Sequence, residues 1–405
     1  MPDTPHATLA AHAHAAATAP TPPMSRRGLL KMSGFALGAL AAAPAILTPA
    51  RDALAADPFK GTAKVTAAHP LRICYNENAL GMSPKARAAA AKALLEANRY
   101  PFEAQPALRE VVAAYHKVTP DHLLLTPGSS DAIRGCVAAY AAPGTQLVIP
   151  ELTYGDGEMY GRINRLDVVK VPSDRETWAI DLEGMKNAVA AHGGPSIVYL
   201  VNPNNPTSTV TDSATVDAWI RSKPKDTVFF IDEAYAEFVN DPSFHSADRL
   251  VASGLDNVVI LKTFSKIHGM AGLRTGYAVA VPPVVARVKD HVENDSMTLT
   301  APAIAAATAS MRDAAHLALS KRCNDQARAV LTGALDELGW RYLPSEANFV
   351  FHRVPGSLAD YQRRMRDANI LVGRAFPPAD GWCRVSLGTP AEMRALVKVM
   401  KAQAG

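Results

Sequence analysis

Cysteine is scarce in this chain. Cys74, Cys136, Cys323 and Cys383 form no CxxC pair and fall at no His/Cys spacing that suits zinc, so no metal site is expected. Each stands in an apolar setting and reads as a buried thiol, and the sequence chooses no pairing among them. Charge of one sign is also lacking. A net charge of +4, with no basic stripe interleaved with aromatics, speaks against a nucleic-acid partner. Beyond residue 56 no apolar run reaches the roughly 20 residues that a membrane-spanning helix needs. No internal repeat is present. What is there is an ordinary globular mixture, 48% hydrophobic and 20% charged, in 405 residues, enough for a sizeable core.

The first 56 residues differ from the rest. Met1 to Pro23 is rich in Ala, Thr, Pro and His and has nothing to pack a core with, so disorder is expected. Its histidines, His6, His12 and His14, read as solvated low-complexity sequence rather than as a metal site. Ser25-Arg26-Arg27-Gly28-Leu29-Leu30-Lys31 then leads into the apolar, Ala-rich segment Met32 to Leu47, broken by Gly34, Gly38 and Pro44. Ala53-Leu54-Ala55 offers a small-x-small cleavage site. The paired arginines, modest apolar region and cleavage site resemble a twin-arginine (Tat) export signal. That resemblance implies passage through the Tat machinery, cleavage near Ala55, a periplasmic location and no stable membrane insertion afterwards. The alternative is an uncleaved membrane anchor, against which stand the breaks at Gly34, Gly38 and Pro44 and an apolar part shorter than the roughly 20 residues a spanning helix needs.

From Leu71 onward, apolar runs alternate with amphipathic helices. Strands are expected at Leu71 to Tyr75, His122 to Leu125, Gln146 to Pro150, Asp167 to Val171, Ser196 to Val201, Thr227 to Asp232, Val258 to Thr263 and Gly276 to Val281. Uniformly apolar strands separated by helices imply an α/β fold with a largely parallel sheet covered on both faces. Ligands of such sheets bind beyond the carboxyl ends of the strands. Pro302 to about Leu338 reads as more than one helix. A smaller α/β unit follows, with strands at Trp340 to Leu343, Asn348 to Arg353, Ile370 to Val372 and Cys383 to Leu387 and a final helix after Pro390. The expected organisation is therefore a leader at 1–56, an arm and first helix at 57–98 belonging to the smaller unit, a large domain at 99–300 and a small domain at 301–405.

Four turns at strand ends carry chemistry. Gly128-Ser129-Ser130-Asp131 joins a strand to a helix and suits an anion, because free N–H groups and the helix dipole converge there. Asn202-Pro203-Asn204-Asn205-Pro206-Thr207 places an amide, Asn205, at a strand end. Asp232-Glu233-Ala234-Tyr235 ends another strand, with a carboxylate able to pair with a protonated ring nitrogen and a phenol able to donate. In Thr263-Phe264-Ser265-Lys266, a lysine stands beside two hydroxyls, and Arg274 follows eight residues later. An amine for an imine together with hydroxyls and an arginine for a phosphate suggests pyridoxal phosphate, PLP. Tyr154, after Pro150, is placed to stack on a ring.

These motifs, with Tyr100-Pro101, Glu237-Phe238, Gly269 to Tyr277 and Cys383 to Thr389, resemble the fold-type I, class I/II PLP-dependent aminotransferases, and among them the histidinol-phosphate aminotransferases. The resemblance runs from Leu71 to the C-terminus. It implies a mostly parallel seven-stranded sheet and a smaller C-terminal domain. It implies Lys266 as the Schiff-base lysine and the base that moves the substrate α-proton, Asp232 on the pyridine nitrogen, and Asn205 and Tyr235 on the phenolate oxygen. Ser129, Ser130, Thr263, Ser265 and Arg274 would hold the phosphate, with Tyr154 on the ring face. Tyr100 resembles a tyrosine that reaches the cofactor phosphate of the neighbouring subunit, implying a homodimer. Arg384 resembles the arginine that grips the α-carboxylate, Arg374 a second substrate-contacting arginine, and Asn78 a residue of the segment that covers the substrate.

The chain departs from that pattern in three places. An export signal is foreign to cytoplasmic histidine biosynthesis. His268 replaces an apolar or aromatic residue after the lysine. Ser208 stands where a glycine usually follows NPNNPT. The expected activity is transfer of an amino group between an amino acid, or an amino-acid-like phosphate such as histidinol phosphate, and a 2-oxo acid such as 2-oxoglutarate. Rival readings are another PLP reaction on the same scaffold, decarboxylation of an amino acid phosphate or racemisation, and a periplasmic tailoring transaminase for an exported natural product.

Overall fold

The structure is a computed structural model that describes residues 57–292 and 297–404; the leader expected over 1–56 lies outside them. From Pro58 on, the described chain forms one compact unit. It opens with strand β1 (Leu71–Arg72) and helices α1 (Pro84–Ala93) and α2 (Gln105–His116). Strands and helices then alternate: β2 (Leu123–Thr126), α3 (Ser129–Tyr140), β3 (Gln146–Pro150), α4 (Asp156–Ile163), β4 (Asp167–Val171), α5 (Leu182–His192) and β5 (Ser196–Val201). The series continues through α6 (Ser213–Arg221), β6 (Thr227–Asp232), α7 (Asp248–Ala252), β7 (Val258–Thr263), β8 (Gly276–Val279) and α8 (Pro282–Lys289). After α9 (Ala301–Met311) and α10 (Ala314–Glu337) come β9 (Phe349–Arg353), α11 (Leu358–Asp367), β10 (Ile370–Leu371), β11 (Trp382–Ser386) and α12 (Pro390–Ala404).

Seven strands form one sheet in the order β2-β8-β7-β6-β5-β3-β4. Only β8 runs against its neighbours, pairing antiparallel with both β2 and β7. The others are parallel because helical crossovers return the chain to the same edge each time. Every residue of β5, β6 and β7 is buried, as expected of strands covered on both faces. Helix starts follow local chemistry. Ser83 Oγ accepts the Ala86 N–H with Pro84 at the first helical position of α1, and Asp212 and Asp181 cap α6 and α5 in the same manner.

The smaller elements gather around a second core. In it Leu71 and Ile73 pack with Leu331, Val350, Tyr361, Val385 and Leu396. There β9 pairs antiparallel with β11, and β1 pairs parallel with β10. The strand expected at Trp340 to Leu343 is a single bridge, Tyr342 to His352. The two cores divide the chain differently from the expected boundaries at 98/99 and 300/301. Ala86 of α1 and Ile304, Ala306 and Ala307 of α9 belong to the core of the seven-stranded sheet, because these two alanine-rich helices pack on each other and their small side chains fit against it. All four cysteines are free; three are buried and Cys74 partly so. Among the described residues no helix is long and apolar enough to cross a membrane, and no group of three His, Cys, Asp or Glu residues is arranged to hold a metal.

Candidate active site

The carboxyl ends of β5, β6 and β7 and the start of α3 open onto a cavity of about 360 Å³. Lys266, in the turn after β7, reaches into it. Its Nζ donates to the Asn76 carbonyl at 3.4 Å and stands 5.5 Å from the centroid of the Tyr235 ring. Ser129, Ser130, Tyr154, Asn205, Asp232, Tyr235, Thr263, Ser265, Arg274, Arg374 and Arg384 line the same space. Residues far apart in the chain thus meet, most of them in the turns that follow the strands of the large sheet and Arg384 from the middle of β11.

One end of the cavity is built for an anion. Helix α3 starts at Gly128, which has φ +91° and offers no side-chain cap, so the first N–H groups of the helix remain available. Arg274 lies above the same turn. A Cβ on Gly128 would stand 2.5 Å from Arg274 Nη2, and one on Gly276 would stand 2.5 Å from the Gly128 carbonyl carbon and the Ser129 nitrogen. Both glycines therefore let three segments close to contact distance. Thr263 Oγ1 takes the Ser265 N–H at 3.1 Å and donates to Ser265 Oγ at 2.9 Å, which leaves the Ser265 proton to point outward. Hydroxyls, helix N–H groups and a guanidinium form a donor-rich cradle suited to a phosphate.

The centre is built for a flat, basic ring. Asp232 is buried, accepts the Tyr199 hydroxyl at 2.9 Å and the Ala234 N–H at 3.1 Å, and faces no cation in contact. Burial pushes its carboxyl up to about 6, against the pull of those hydrogen bonds. A protonated ring nitrogen would reverse that penalty. Tyr154 stands on the cavity wall, and its phenol is pushed up first by burial and then by Asp156. Tyr235 Oη accepts from Asn205 Nδ2 at 3.3 Å and from Asn76 Nδ2 at 3.1 Å.

The mouth is basic. Arg384 donates through Nη1 to Asn205 Oδ1 at 2.7 Å and through Nη2 to the Cys74 carbonyl at 2.9 Å, while its Nε is buried without a partner. Its guanidinium lies 4.8 Å from the centroid of Phe376, and that of Arg374 lies 4.3 Å from the same ring. Burial lowers the Arg384 pKa, yet the side chain meets no carboxylate. An orphan N–H on a desolvated guanidinium is a receptor for a carboxylate.

Two expected residues lie elsewhere. Asn78 turns away from the cavity: its amide donates to the Ile267 carbonyl at 2.8 Å and to Ser320 Oγ at 3.3 Å, pinning the turn rather than covering a substrate. Asn76, two residues earlier, takes the place in the cavity. Tyr100 is 70% exposed, stacks on Phe102 at 5.6 Å and does not line the cavity of its own chain. Sequence reasoning missed Asn76, Tyr199 and Phe376. Tyr199 is hidden within an apolar strand, and Phe376 within a proline-rich loop. Asn76 had one signal, a polar turn in which asparagine is a residue that adopts positive φ readily, here +56°.

A lysine after β7, a carboxylate ending β6, and an anion cradle at the start of α3 under a mostly parallel seven-stranded sheet define a fold-type I PLP-dependent transferase. The chain belongs to the class I and II aminotransferase family, whose model matches residues 68–400. It is 35% identical over 337 residues to a histidinol-phosphate aminotransferase of Symbiobacterium thermophilum, covering 83% of this chain and 91% of that one. Among solved structures, a protein of Erwinia carotovora atroseptica, provisionally named a histidinol-phosphate aminotransferase, is 51% identical. It superposes with a TM-score of 0.82 over 84% of this chain and 98% of its own. The histidinol-phosphate aminotransferase of Sinorhizobium meliloti, solved with PLP, is 26% identical at a TM-score of 0.73, over 82% and 91% of the two chains. The protein is a PLP-dependent aminotransferase.

Proposed function

We propose that this aminotransferase works in the periplasm either on amino acids that carry a second anionic group or on an amino-acid-like phosphate such as histidinol phosphate, whose phosphate takes the place of the carboxylate, with a 2-oxo acid such as 2-oxoglutarate as acceptor. The observation that carries the substrate reading is the pair of guanidiniums, Arg374 and Arg384, over one Phe376 ring at the mouth of the lysine cavity. Arg384, with an unpartnered Nε, suits the α-carboxylate; Arg374, closer to solvent, suits the distal anion. The periplasmic reading rests on the paired arginines, apolar segment and Ala53-Leu54-Ala55 of the leader. A homodimer in which Tyr100 reaches the neighbouring subunit's cofactor phosphate fits the exposure of Tyr100, Leu94, Leu95 and Phe102 on one stretch of chain.

PLP, when bound, supplies a carbonyl carbon that links to amines and a ring that draws electrons from the substrate's α-carbon. The residues do the rest. The cradle of Ser129, Ser130, Thr263, Ser265 and Arg274 anchors the phosphate. Asp232 holds the ring nitrogen protonated. Asn205 and Tyr235 address the ring oxygen. Arg384 orients the α-carboxylate, and Lys266 Nζ takes the α-proton and delivers it to the other side of the transfer.

The test is an absorption spectrum of the PLP-loaded protein before and after adding amino acids one at a time, histidinol phosphate among them. Bleaching by amino acids with a second anionic group, or by histidinol phosphate, with release of the matching oxo product supports the reading, and Lys266→Ala should abolish it. Equal bleaching by alanine and by these donors would overturn the proposed substrate class. Release of carbon dioxide, or loss of optical purity without an oxo acid, would favour the rival reactions. Recovery of the full-length chain only from the cytoplasm, with its leader intact, would overturn the periplasmic reading.

A further inference from the structure

Asn76 is buried to 1% exposure at φ +56°, between the lysine turn and strand β11. All its polar atoms are engaged. Its N–H donates to Ser386 Oγ at 2.8 Å, and its carbonyl accepts from Lys266 Nζ at 3.4 Å and from Asn348 Nδ2 at 3.0 Å. Its side-chain oxygen accepts from Ser386 Oγ at 2.9 Å, and its side-chain nitrogen donates to Tyr235 Oη at 3.1 Å.

These bonds fix a direction. Ser386 Oγ accepts the Asn76 N–H and donates its own proton to Asn76 Oδ1. That sets which end of the Asn76 amide is oxygen, and the NH₂ end then faces Tyr235. A phenol oxygen has two acceptor sites and one proton. With Asn76 and Asn205 both donating to it, the acceptor sites of Tyr235 are filled and its own proton must point elsewhere, into the cavity.

We propose that Asn76 is a positioning residue that, anchored by Ser386, locks the Tyr235 hydroxyl as a donor aimed at the ring oxygen of the cofactor. The inference rests on the placement of that ring over Lys266 beside Tyr235. A hydroxyl without this lock would be free to rotate and share its proton with its neighbours. A locked donor favours the ionised ring oxygen at all times and requires no reorganisation during turnover. The chain of bonds starts at Ser386, two positions beyond Arg384 on the same face of β11, so the strand that carries the carboxylate-gripping arginine also sets the tyrosine.

The experiment is a pH titration of the absorbance of bound PLP in the dimeric holoenzyme, for wild type, Tyr235→Phe, Asn76→Ala, Ser386→Ala and the double variant Asn76→Ala/Tyr235→Phe. Loss of a hydrogen bond to an ionised oxygen should raise the midpoint by roughly 1 pH unit in Tyr235→Phe. Asn76→Ala should raise it by a large part of that shift, and Ser386→Ala should move it the same way by less. In the Tyr235→Phe background, Asn76→Ala should add nothing, since the group it acts through is gone. Ser386→Ala carries the test alone if Asn76→Ala does not fold. Midpoints unchanged in Asn76→Ala and Ser386→Ala beside a shifted Tyr235→Phe would overturn the proposal. So would an Asn76→Ala shift that persists in full without the tyrosine hydroxyl. An unmoved Tyr235→Phe would overturn the placement of Tyr235 on the ring oxygen, and the proposal with it.

Discussion

Arg384 Nη1 donates to Asn205 Oδ1 over 2.7 Å, and the Asn205 amide nitrogen in turn faces Tyr235 Oη at 3.3 Å. The proposed grip on the substrate carboxylate and the proposed contact to the cofactor ring are therefore two ends of one side-chain network. A guanidinium can hold Asn205, the Cys74 carbonyl and a carboxylate at once because it has five N–H donors in a planar fork.

Arg384→Lys should break that network. An ammonium offers a point charge in place of a fork and cannot serve three acceptors in one plane. The expected result is a fall in kcat/KM of at least about 100-fold for both amino donor and oxo acid, the lower end of what two lost charge-assisted hydrogen bonds cost. PLP should remain bound. Steady-state kinetics with both substrates, beside a spectrum of the resting enzyme, would check this; an unchanged KM and kcat would contradict it.

Asp232 gives a pH-dependent prediction with a defined sign. Burial raises its carboxyl from 3.8 to about 6 in the cofactor-free protein. Between those values the folded state keeps a proton that the unfolded chain has released. The group's contribution to stability is complete below pH 3.8 and is lost as pH rises through 6, by roughly 3 kcal/mol. Asp232→Asn removes the charge and retains an oxygen for Tyr199. Apo Asp232→Asn should therefore match apo wild type at pH 4 and melt higher than it at pH 8. With PLP added the order should reverse, because only the carboxylate pairs with the ring nitrogen. Thermal melts of both proteins at both pH values, with and without PLP, decide it.

His268 should shape the acid limb of the stability curve. It is buried, and burial lowers its pKa to about 4 despite Glu237 nearby. Its Nδ1 pairs with Ser310 Oγ at 2.8 Å. Here the unfolded chain binds the extra proton. Stability is present above about 6.5 and is lost as pH falls through 4. His268→Gln keeps a polar partner for Ser310 but cannot titrate. Its unfolding free energy should fall less steeply between pH 6.5 and 4, by about one proton's worth of slope. Denaturant melts across that range would show parallel curves if the prediction fails.

Gly128→Ala tests the anion cradle. The residue has φ +91°, and its Cβ would meet Arg274 Nη2 at 2.5 Å. The substitution strains the backbone and displaces the guanidinium from the turn. PLP affinity should fall at least 10-fold while the apo protein still folds, since nothing beneath the turn is removed. Equilibrium dialysis of PLP measures this directly, and wild-type affinity would count against the cradle.

Much of the architecture could be read before any coordinates. Uniformly apolar runs such as Val228 to Ile231 can bury only in a sheet covered on both faces. The turn residues at Gly128-Ser129, Asn205, Asp232 and Lys266 mark the strand ends where such sheets bind ligands. What escaped had no periodic signal. Tyr199 and Lys262 lie inside otherwise apolar strands, and their polar ends are met by distant groups. Tyr199 donates to Asp232, while Lys262 sits 2.6 Å from Glu237 and 3.7 Å from Glu233. A buried charge is tolerable only when paired, and pairing between distant segments leaves no trace in local spacing.

The sequence by itself determined the kinds of residue available and the strand or helix end on which each would sit, because hydrophobic period, caps and turn chemistry act over a few neighbours. It did not choose between Asn76 and Asn78, which are two positions apart in one polar turn. The fold made that choice. A positive φ at Asn76 turns its side chain toward Tyr235 and Ser386, while Asn78 is drawn to Ile267 and Ser320. Those partners come from segments up to about 310 residues away, and only the packing of the smaller core against the seven-stranded sheet brings them within hydrogen-bond reach.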